Sequence, residues 1–139
     1  MKVQIVVDRL SERIICADVF NGKAHDLSIF KATLQIKPCI QVLADSGYRG
    51  MQKVHSNALY PKKHKSDVKK LTEEQMKELK ITNREISSKR MKIEHIIGRI
   101  KRFNIISQRY RNRRKRFGLR LNLICGIVIY EKSLLSSVS

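Results

Sequence analysis

The amino-acid sequence predicts a single α/β domain in which helices cover a small sheet. The chain has 139 residues, which is enough for one hydrophobic core. Residues 2–45 alternate short β-branched runs with one helical pattern, whereas the pattern after residue 72 is almost entirely helical. This order of elements requires a sheet with helices on its faces.

Two β-branched runs, residues 2–7 and 13–20, open the chain and are joined by the polar sequence DRLSE. Such a connection is typical of a hairpin of two antiparallel strands. The first run begins immediately at residue 2, so we expect the sheet to lack an edge element.

Residues 24–36 carry apolar side chains near helical spacing, with Asp26 in the first turn or as its cap and Pro38 as the stop. The short apolar run CIQVLA then predicts a buried strand that ends at Asp45, followed by a short helix over 50–56 and a strand over 58–60.

The C-terminal half is predicted to be helical. Thr72 and Gln75 resemble a capping box. A long helix is expected over 83–104 and a last helix over 117–135. The long helix has a stripe of apolar residues that predicts its buried face: Ile86, Ile93, Ile96, Ile97, Ile100 and Phe103.

The composition favours a polyanionic partner. There are 30 Lys and Arg against 12 Asp and Glu, a net charge of +18, and basic surfaces bind phosphates with release of counterions. The three cysteines are far apart and indicate buried thiols in a reducing compartment. The longest apolar stretch, 121–130, is too short to span a bilayer, which predicts a cytoplasmic protein.

Glu94 is the one acid among 13 Lys and Arg between residues 89 and 120. Arg90, Glu94 and Lys101 are spaced by four and seven residues, which places them on one helix face. A solvated ion pair between Arg90 and Glu94 is the simpler explanation. The alternative is a carboxylate that holds a divalent cation, with Gly98 one turn further on allowing a close approach.

Asp45 is the second candidate, because ligands gather beyond the carboxyl ends of strands in sheets covered by helices. Its alternative role is to cap the turn formed by Ser46 and Gly47. Paired carboxylates beside cations are what metal-dependent phosphodiester chemistry needs. Two carboxylates alone would hold two metal ions poorly.

Four strings resemble one known family: HD at 25–26, LADSGYRG at 43–50, PKK at 61–63 and RMKIEHIIGRIKRF at 90–103. Together they resemble the catalytic domain of DDE transposases of the IS5/IS4 insertion-sequence type, over nearly the entire chain. The resemblance implies a ribonuclease-H-like fold in which Asp45 is the second catalytic carboxylate and Glu94 the third. Arg90, Glu94 and Lys101 match the R-x3-E-x6-K part of the family signature.

The chain departs from the family pattern at several points. Ser87 stands where the signature has Tyr. The family's first Asp lies on the first strand of its fold, and neither Asp8 nor Asp18 matches that position. The first carboxylate and the N-terminal helix-turn-helix part are therefore expected to be missing, as in the downstream reading frame of a split transposase or in a decayed remnant.

The resulting prediction is the C-terminal part of a transposase catalytic domain, spanning residues 1–139 and lacking the first strand of its fold. When complete it would cut and rejoin DNA by Mg²⁺- or Mn²⁺-dependent transesterification, with Asp45 and Glu94 as metal ligands and Arg90 and Lys101 orienting phosphates. We expect the DNA path to be lined by further basic residues: Lys62, Lys63, Arg109, Arg111, Arg113 and Arg114.

The resemblance also implies partners and a location: DNA, a polypeptide from an upstream frame that supplies the first Asp, a homo-oligomer in the active complex, and the nucleoid of a bacterium. His25 and Asp26 are interpreted as fold elements near a helix start. Whether this chain alone is an enzyme stays open, since the alternative is an inactive nucleic-acid-binding remnant or a basic DNA- or RNA-binding module.

Overall fold

A computed structural model describes residues 2–62, 71–107 and 114–138. Its strands are β1 (Lys2–Val7), β2 (Ile14–Phe20), β3 (Val42–Leu43) and β4 (Ala58–Leu59), and its helices are α1 (Asp26–Thr33), α2 (Glu73–Lys101), α3 (Asn104–Ser107) and α4 (Phe117–Ser137). Short 3-10 turns lie at Ser46–Tyr48, Met51–Lys53 and Arg114–Arg116. The chain divides into two compact units, a first unit of residues 1–23 and 92–139 and a second unit of residues 24–91.

The predicted hairpin is confirmed in the first unit, where β1 and β2 pair antiparallel with Lys2 opposite Phe20. The connection is closed by the Asp8 backbone N–H, which donates to the Arg13 carbonyl at 2.9 Å. The Asp8 carboxylate also accepts hydrogen bonds from the backbone N–H and the hydroxyl of Ser11. These bonds lower the pKa of the Asp8 carboxyl, the side-chain bond contributing most.

The core of the first unit forms where α4 and the end of α2 pack on one face of the hairpin. Alternate strand residues such as Ile5 and Val7 contact this core, as expected for a strand with one covered face. The buried residues of the cluster come from the two helices: Ile96, Ile100, Leu121, Ile124, Cys125 and Val128.

The second unit is built from α1 and the parallel pair of β3 and β4, with Val42 opposite Ala58. Its buried cluster contains Phe30, Ala44, Met51 and Ala58. Helix α1 is shorter than predicted, because Leu34 is its C-cap and already has extended backbone geometry. The Leu34 backbone N–H donates the last hydrogen bond of the helix to the Phe30 carbonyl. The chain therefore leaves the helix four residues before Pro38, and Leu34 packs on the cluster as part of the loop.

Helix α2 begins ten residues earlier than the helix predicted over 83–104. The capping box at its start is confirmed, since the Gln75 backbone N–H donates to Thr72 Oγ1 at 3.4 Å and the Thr72 N–H donates to Gln75 Oε1 at 3.1 Å. Of the predicted apolar stripe, Ile86, Ile96 and Ile100 are buried. The last predicted helix is confirmed as α4.

The fold is a mixed α/β arrangement with small sheets and a long helical part. The described strands form two separate two-stranded sheets, β1 with β2 and β3 with β4, instead of the one sheet that the sequence predicted. The ribonuclease-H-like topology and the single domain over 1–139 therefore remain predictions.

Two expectations drawn from composition meet different outcomes. The prediction of three buried thiols is wrong: Cys125 is buried, Cys16 is partly exposed and Cys39 is exposed, because Cys39 lies in the loop that leads into β3. In the described part of the chain, no helix is both long and apolar enough to cross a membrane.

Candidate active site

Asp45 lies two residues beyond β3, directly after the buried Ala44. It caps the 3-10 turn that follows, because its Oδ1 accepts a hydrogen bond from the Ser46 backbone N–H at 2.7 Å. The turn-capping role that the sequence allowed is therefore present. The side chain is nonetheless 60% exposed, so capping leaves this carboxylate accessible to solvent and to a ligand.

Arg90 is the partner that the fold brings to this carboxylate. Arg90 Nη1 lies 3.3 Å from Asp45 Oδ1, and the arginine side chain is 18% exposed. Two of the predicted site residues, 45 positions apart in the sequence, thus meet within the second unit. In the sequence Arg90 is spaced to pair with Glu94, and no local pattern indicates its contact with Asp45.

The first turn of α1 lies against the turn that carries Asp45, and His25 and Asp26 have the predicted place at the start of this helix. His25 is the N-cap of α1, its Nδ1 accepting from the Leu27 N–H at 3.4 Å. The next residue, Asp26, has a carboxylate oxygen 2.8 Å from the point where a Cβ on Gly47 would stand. The pKa of the Tyr48 phenol is raised by burial and, to a smaller extent, by the negative charges of Asp26 and Asp45.

Glu94 and Lys101 are exposed on α2, in the part of that helix that belongs to the first unit. Glu94 lines a groove with a volume of about 1200 Å³, together with Arg99 of the same helix, residues of the hairpin turn and residues of α4. Gly98 lines it too, and apart from its two neighbours and the nearby backbone of its own helix, no described atom lies within 4 Å of where its Cβ would stand. No other described backbone approaches Gly98, which faces the groove, and the approach of a ligand at this position stays a prediction.

Ion pairs offset part of the positive charge around this groove. Glu12 binds Lys132 and also Lys92, the latter at 3.5 Å, and Arg102 binds Glu131 at 3.2 Å. The hydrogen bond from Lys132 is the main reason why the pKa of the Glu12 carboxyl is below its ordinary value.

The predicted DNA-path residues are only partly described. Lys62 is exposed, and its backbone N–H and carbonyl are both bonded to the Asn83 amide at 3.0 Å, which fixes this point of the loop to α2. Arg114 begins a 3-10 turn. The remaining residues predicted for this path lie outside the described ranges: Lys63, Arg109, Arg111 and Arg113.

The fit of the site to a divalent metal can be judged from its donors. Within residues 2–62, 71–107 and 114–138, no three or more His, Cys, Asp or Glu side chains are grouped so as to hold a metal ion. Mg²⁺ in proteins is commonly held by one or two carboxylates and several waters. The exposed carboxylate of Asp45 suits that mode of binding, with one oxygen already engaged by Ser46 and Arg90.

Neither Asp8 nor Asp18 extends this site. The Asp8 carboxylate is bonded within the hairpin turn, and Asp18 Oδ2 accepts from the Cys16 thiol at 2.8 Å. Desolvation of the thiol and this contact raise the pKa of Cys16 to about 11. Both carboxylates thus have partners within their own hairpin.

Comparison with known proteins shows which family the chain resembles. A protein-family model described as DDE superfamily endonuclease matches residues 1–128. A probable transposase for insertion sequence element IS702 from Microchaete diplosiphon is 42% identical to the chain over 135 residues, which is 96% of this chain and 47% of that protein. The chain thus spans about half the length of the curated relative that it matches. No solved structure matches the chain.

Proposed function

The chain belongs to the DDE superfamily endonuclease family and is a partial homologue of an insertion-sequence transposase, and from this premise we propose that it supplies two of the three catalytic carboxylates for DNA strand cleavage and transfer. The observation that carries the proposal is the contact of the Arg90 guanidinium with the Asp45 carboxylate. It joins an anionic oxygen ligand to a cation suited to phosphate, as phosphodiester chemistry requires.

In this proposal Asp45 and Glu94 hold Mg²⁺ or Mn²⁺. The bound metal would polarise the phosphate and activate a water or a 3′-hydroxyl. Arg90 and Lys101 orient the phosphate, and the basic residues of the DNA path retain the duplex through counterion release. The first catalytic carboxylate comes from a polypeptide encoded upstream, and the active complex contains more than one copy of the protein.

The test is a metal-dependent nicking assay on supercoiled DNA, using the chain combined with the segment that supplies the first Asp. We expect Glu94→Gln to lower the rate at least about a hundredfold, because loss of a ligand charge weakens metal binding and transition-state stabilisation. Glu85→Gln is the matched control, since Glu85 is an exposed carboxylate on the same helix without a predicted role. Equal cutting by the Glu94→Gln protein and the unsubstituted protein would disprove the metal assignment.

A second candidate function is binding of nucleic acid without catalysis. It is favoured by the net charge of +18 and by Ser87 in the place of the signature Tyr. The two functions differ in their dependence on metal. Binding that weakens with salt but is indifferent to Mg²⁺ and to Asp45→Asn would support the non-catalytic module.

A further inference from the structure

The loop that carries Asp45 rests on the first turn of α1 at two glycines. At Gly50, where φ is +85°, Leu27 Cδ2 lies 3.7 Å from the point where a Cβ would stand, which is an ordinary contact. At Gly47 the corresponding neighbour is Asp26 Oδ2, at 2.8 Å. A Cβ at that separation would push the Asp26 carboxylate aside, so the carboxylate occupies space that the glycine leaves open.

The two glycines serve different needs. Gly50 has the left-handed backbone geometry that favours glycine. Gly47 does not, because Gly50 is the one glycine with positive φ in the described ranges. The backbone at Gly47 would accept alanine, and the group that its Cβ would displace is the Asp26 carboxylate.

Gly47 lies inside the turn that sets the direction of Asp45. The Tyr48 backbone N–H donates to the Asp45 carbonyl at 3.0 Å, and the Ser46 N–H donates to the Asp45 side chain at 2.7 Å. A shift of the backbone at Gly47 would disturb the bond between Tyr48 and Asp45, because Gly47 lies between these two residues. It would reach the bond from Ser46 through the peptide that joins Ser46 to Gly47. The position of Asp26 is thus coupled to the orientation of the Asp45 carboxylate.

We propose that Asp26 is a positioning residue, whose carboxylate against Gly47 fixes the turn 45–48 and thereby the direction in which Asp45 presents its free oxygen. The proposal rests on the function proposed for Asp45 as a metal ligand. It gives the first turn of α1 a role in the site without making Asp26 a ligand itself.

A double-mutant cycle on the full chain tests the contact without metal. The variants are Asp26→Ala, Gly47→Ala and the two together, and the measurement is hydrogen exchange of the Tyr48 backbone amide, which donates to Asp45. Each single change should speed exchange about tenfold. Exchange in the double variant should be no faster than in either single variant, because both changes remove the same contact between residues 26 and 47.

The same variants are then titrated with Mn²⁺ alone, with free Mn²⁺ followed by electron paramagnetic resonance. Asp26→Ala, Gly47→Ala and the double variant should all weaken binding by a similar factor of about ten. Ser28→Ala is the control for changes at the start of α1, since Ser28 is exposed in the same turn, and it should alter neither measurement. Asp45→Asn reports whether Asp45 binds the metal at all.

The outcomes separate the two proposals. Additive effects on amide exchange, or no effect of Asp26→Ala, would overturn the role of Asp26. If Asp45→Asn lowers Mn²⁺ affinity while the Asp26 and Gly47 variants leave it unchanged, the positioning role is likewise overturned. If Asp45→Asn leaves Mn²⁺ affinity unchanged, the proposed role of Asp45 as a metal ligand fails, while coupled exchange would still support the contact of Asp26 with the turn.

Discussion

Replacing Arg90 by Gln separates a structural role of this arginine from a phosphate-binding one. In the folded chain Arg90 Nη1 lies 3.3 Å from Asp45 Oδ1, with the arginine 18% exposed and the aspartate 60% exposed. The substitution removes the charge and keeps a polar side chain that reaches less far. If Arg90 has a structural role, its loss should lower the free energy of unfolding. If it binds phosphate, its loss should lower the affinity for DNA.

The exposure of Asp45 decides the expected loss of stability. Two unit charges at this separation attract by about 1.3 kcal/mol at the dielectric constant of water and by about 5 kcal/mol at an effective value of 20. Because the Asp45 side chain is mostly in solvent, the value for water applies more closely to this pair. Exposed ion pairs contribute about 0.2–1 kcal/mol in measurements. We therefore expect Arg90→Gln to lower the free energy of unfolding by less than about 1 kcal/mol in urea denaturation.

DNA binding should respond differently. A cation that contacts one phosphate releases about one counterion, so its loss lowers the slope of log affinity against log salt by about one and weakens binding for all sequences alike. The assay is fluorescence anisotropy of a labelled duplex over a range of salt concentrations. Arg84→Gln is the control with the same change of charge, on an exposed residue of α2 that lies roughly 120° around the helix.

Two results would refute the reasoning. A loss of more than about 2 kcal/mol in unfolding with an unchanged salt slope would make Arg90 a structural partner of Asp45, because exposed pairs do not contribute that much. An equal change of slope in Arg84→Gln would show that the effect belongs to net charge and not to the position of Arg90.

Two further predictions concern folding stability in the first unit. Leu121→Ala should lower the free energy of unfolding by about 2–5 kcal/mol, since Leu121 is 0% exposed. The control is Leu123→Ala, at a position that is 66% exposed, which should change this free energy by no more than about 0.5 kcal/mol. Equal losses in urea denaturation would contradict the packing of α4. Lys132 and Lys92 hold the pKa of the Glu12 carboxyl below its ordinary 4.5, so their stabilisation is present above that pH and is lost as pH falls through the folded value. Glu12→Gln should therefore lower Tm at pH 7 and flatten its decline below pH 4.5, and an unchanged acid limb would argue against the pairs.

The elements that the sequence predicts well are those fixed by neighbouring residues. The hairpin follows from two β-branched runs and a polar turn, and the bonds that close it join residues at most five positions apart, Asp8 to Ser11 and Arg13. The capping box of Thr72 and Gln75 is equally local. Such elements can be predicted from the sequence because their hydrogen bonds join residues that are close along the chain.

The start of α2 shows where hydrophobic periodicity fails. Residues 73–82 are mostly polar, so they carry no apolar stripe, yet they are helical from Glu73 onward. Residues such as Glu, Gln, Lys and Leu favour the helix by their own propensity, and the capping box marks its first residue. Periodicity therefore detects the buried part of this helix and misses the part that is exposed.

The candidate site could be predicted residue by residue but not as a set of contacts. Asp45 and Arg90 were each predicted from local signals, a strand end and a helix spacing, but the contact between them spans 45 positions. Nothing in the sequence near Asp26 indicates that its carboxylate meets Gly47. These contacts depend on how the loop after β3 lies on α1 and α2, which composition and spacing do not determine.

The contact between Asp45 and Arg90 also has a consequence for the order of events in the proposed reaction. Asp45 Oδ1 accepts from both Ser46 and Arg90, so a cation that binds this carboxylate must use Oδ2 or replace the guanidinium. If a cation replaced the guanidinium, Asp45 would hold that cation and Arg90 would be able to pair with the negative charge of the substrate phosphate. Arg90 would then exchange one anion for another, which is why its removal should cost little in folding and more in binding DNA.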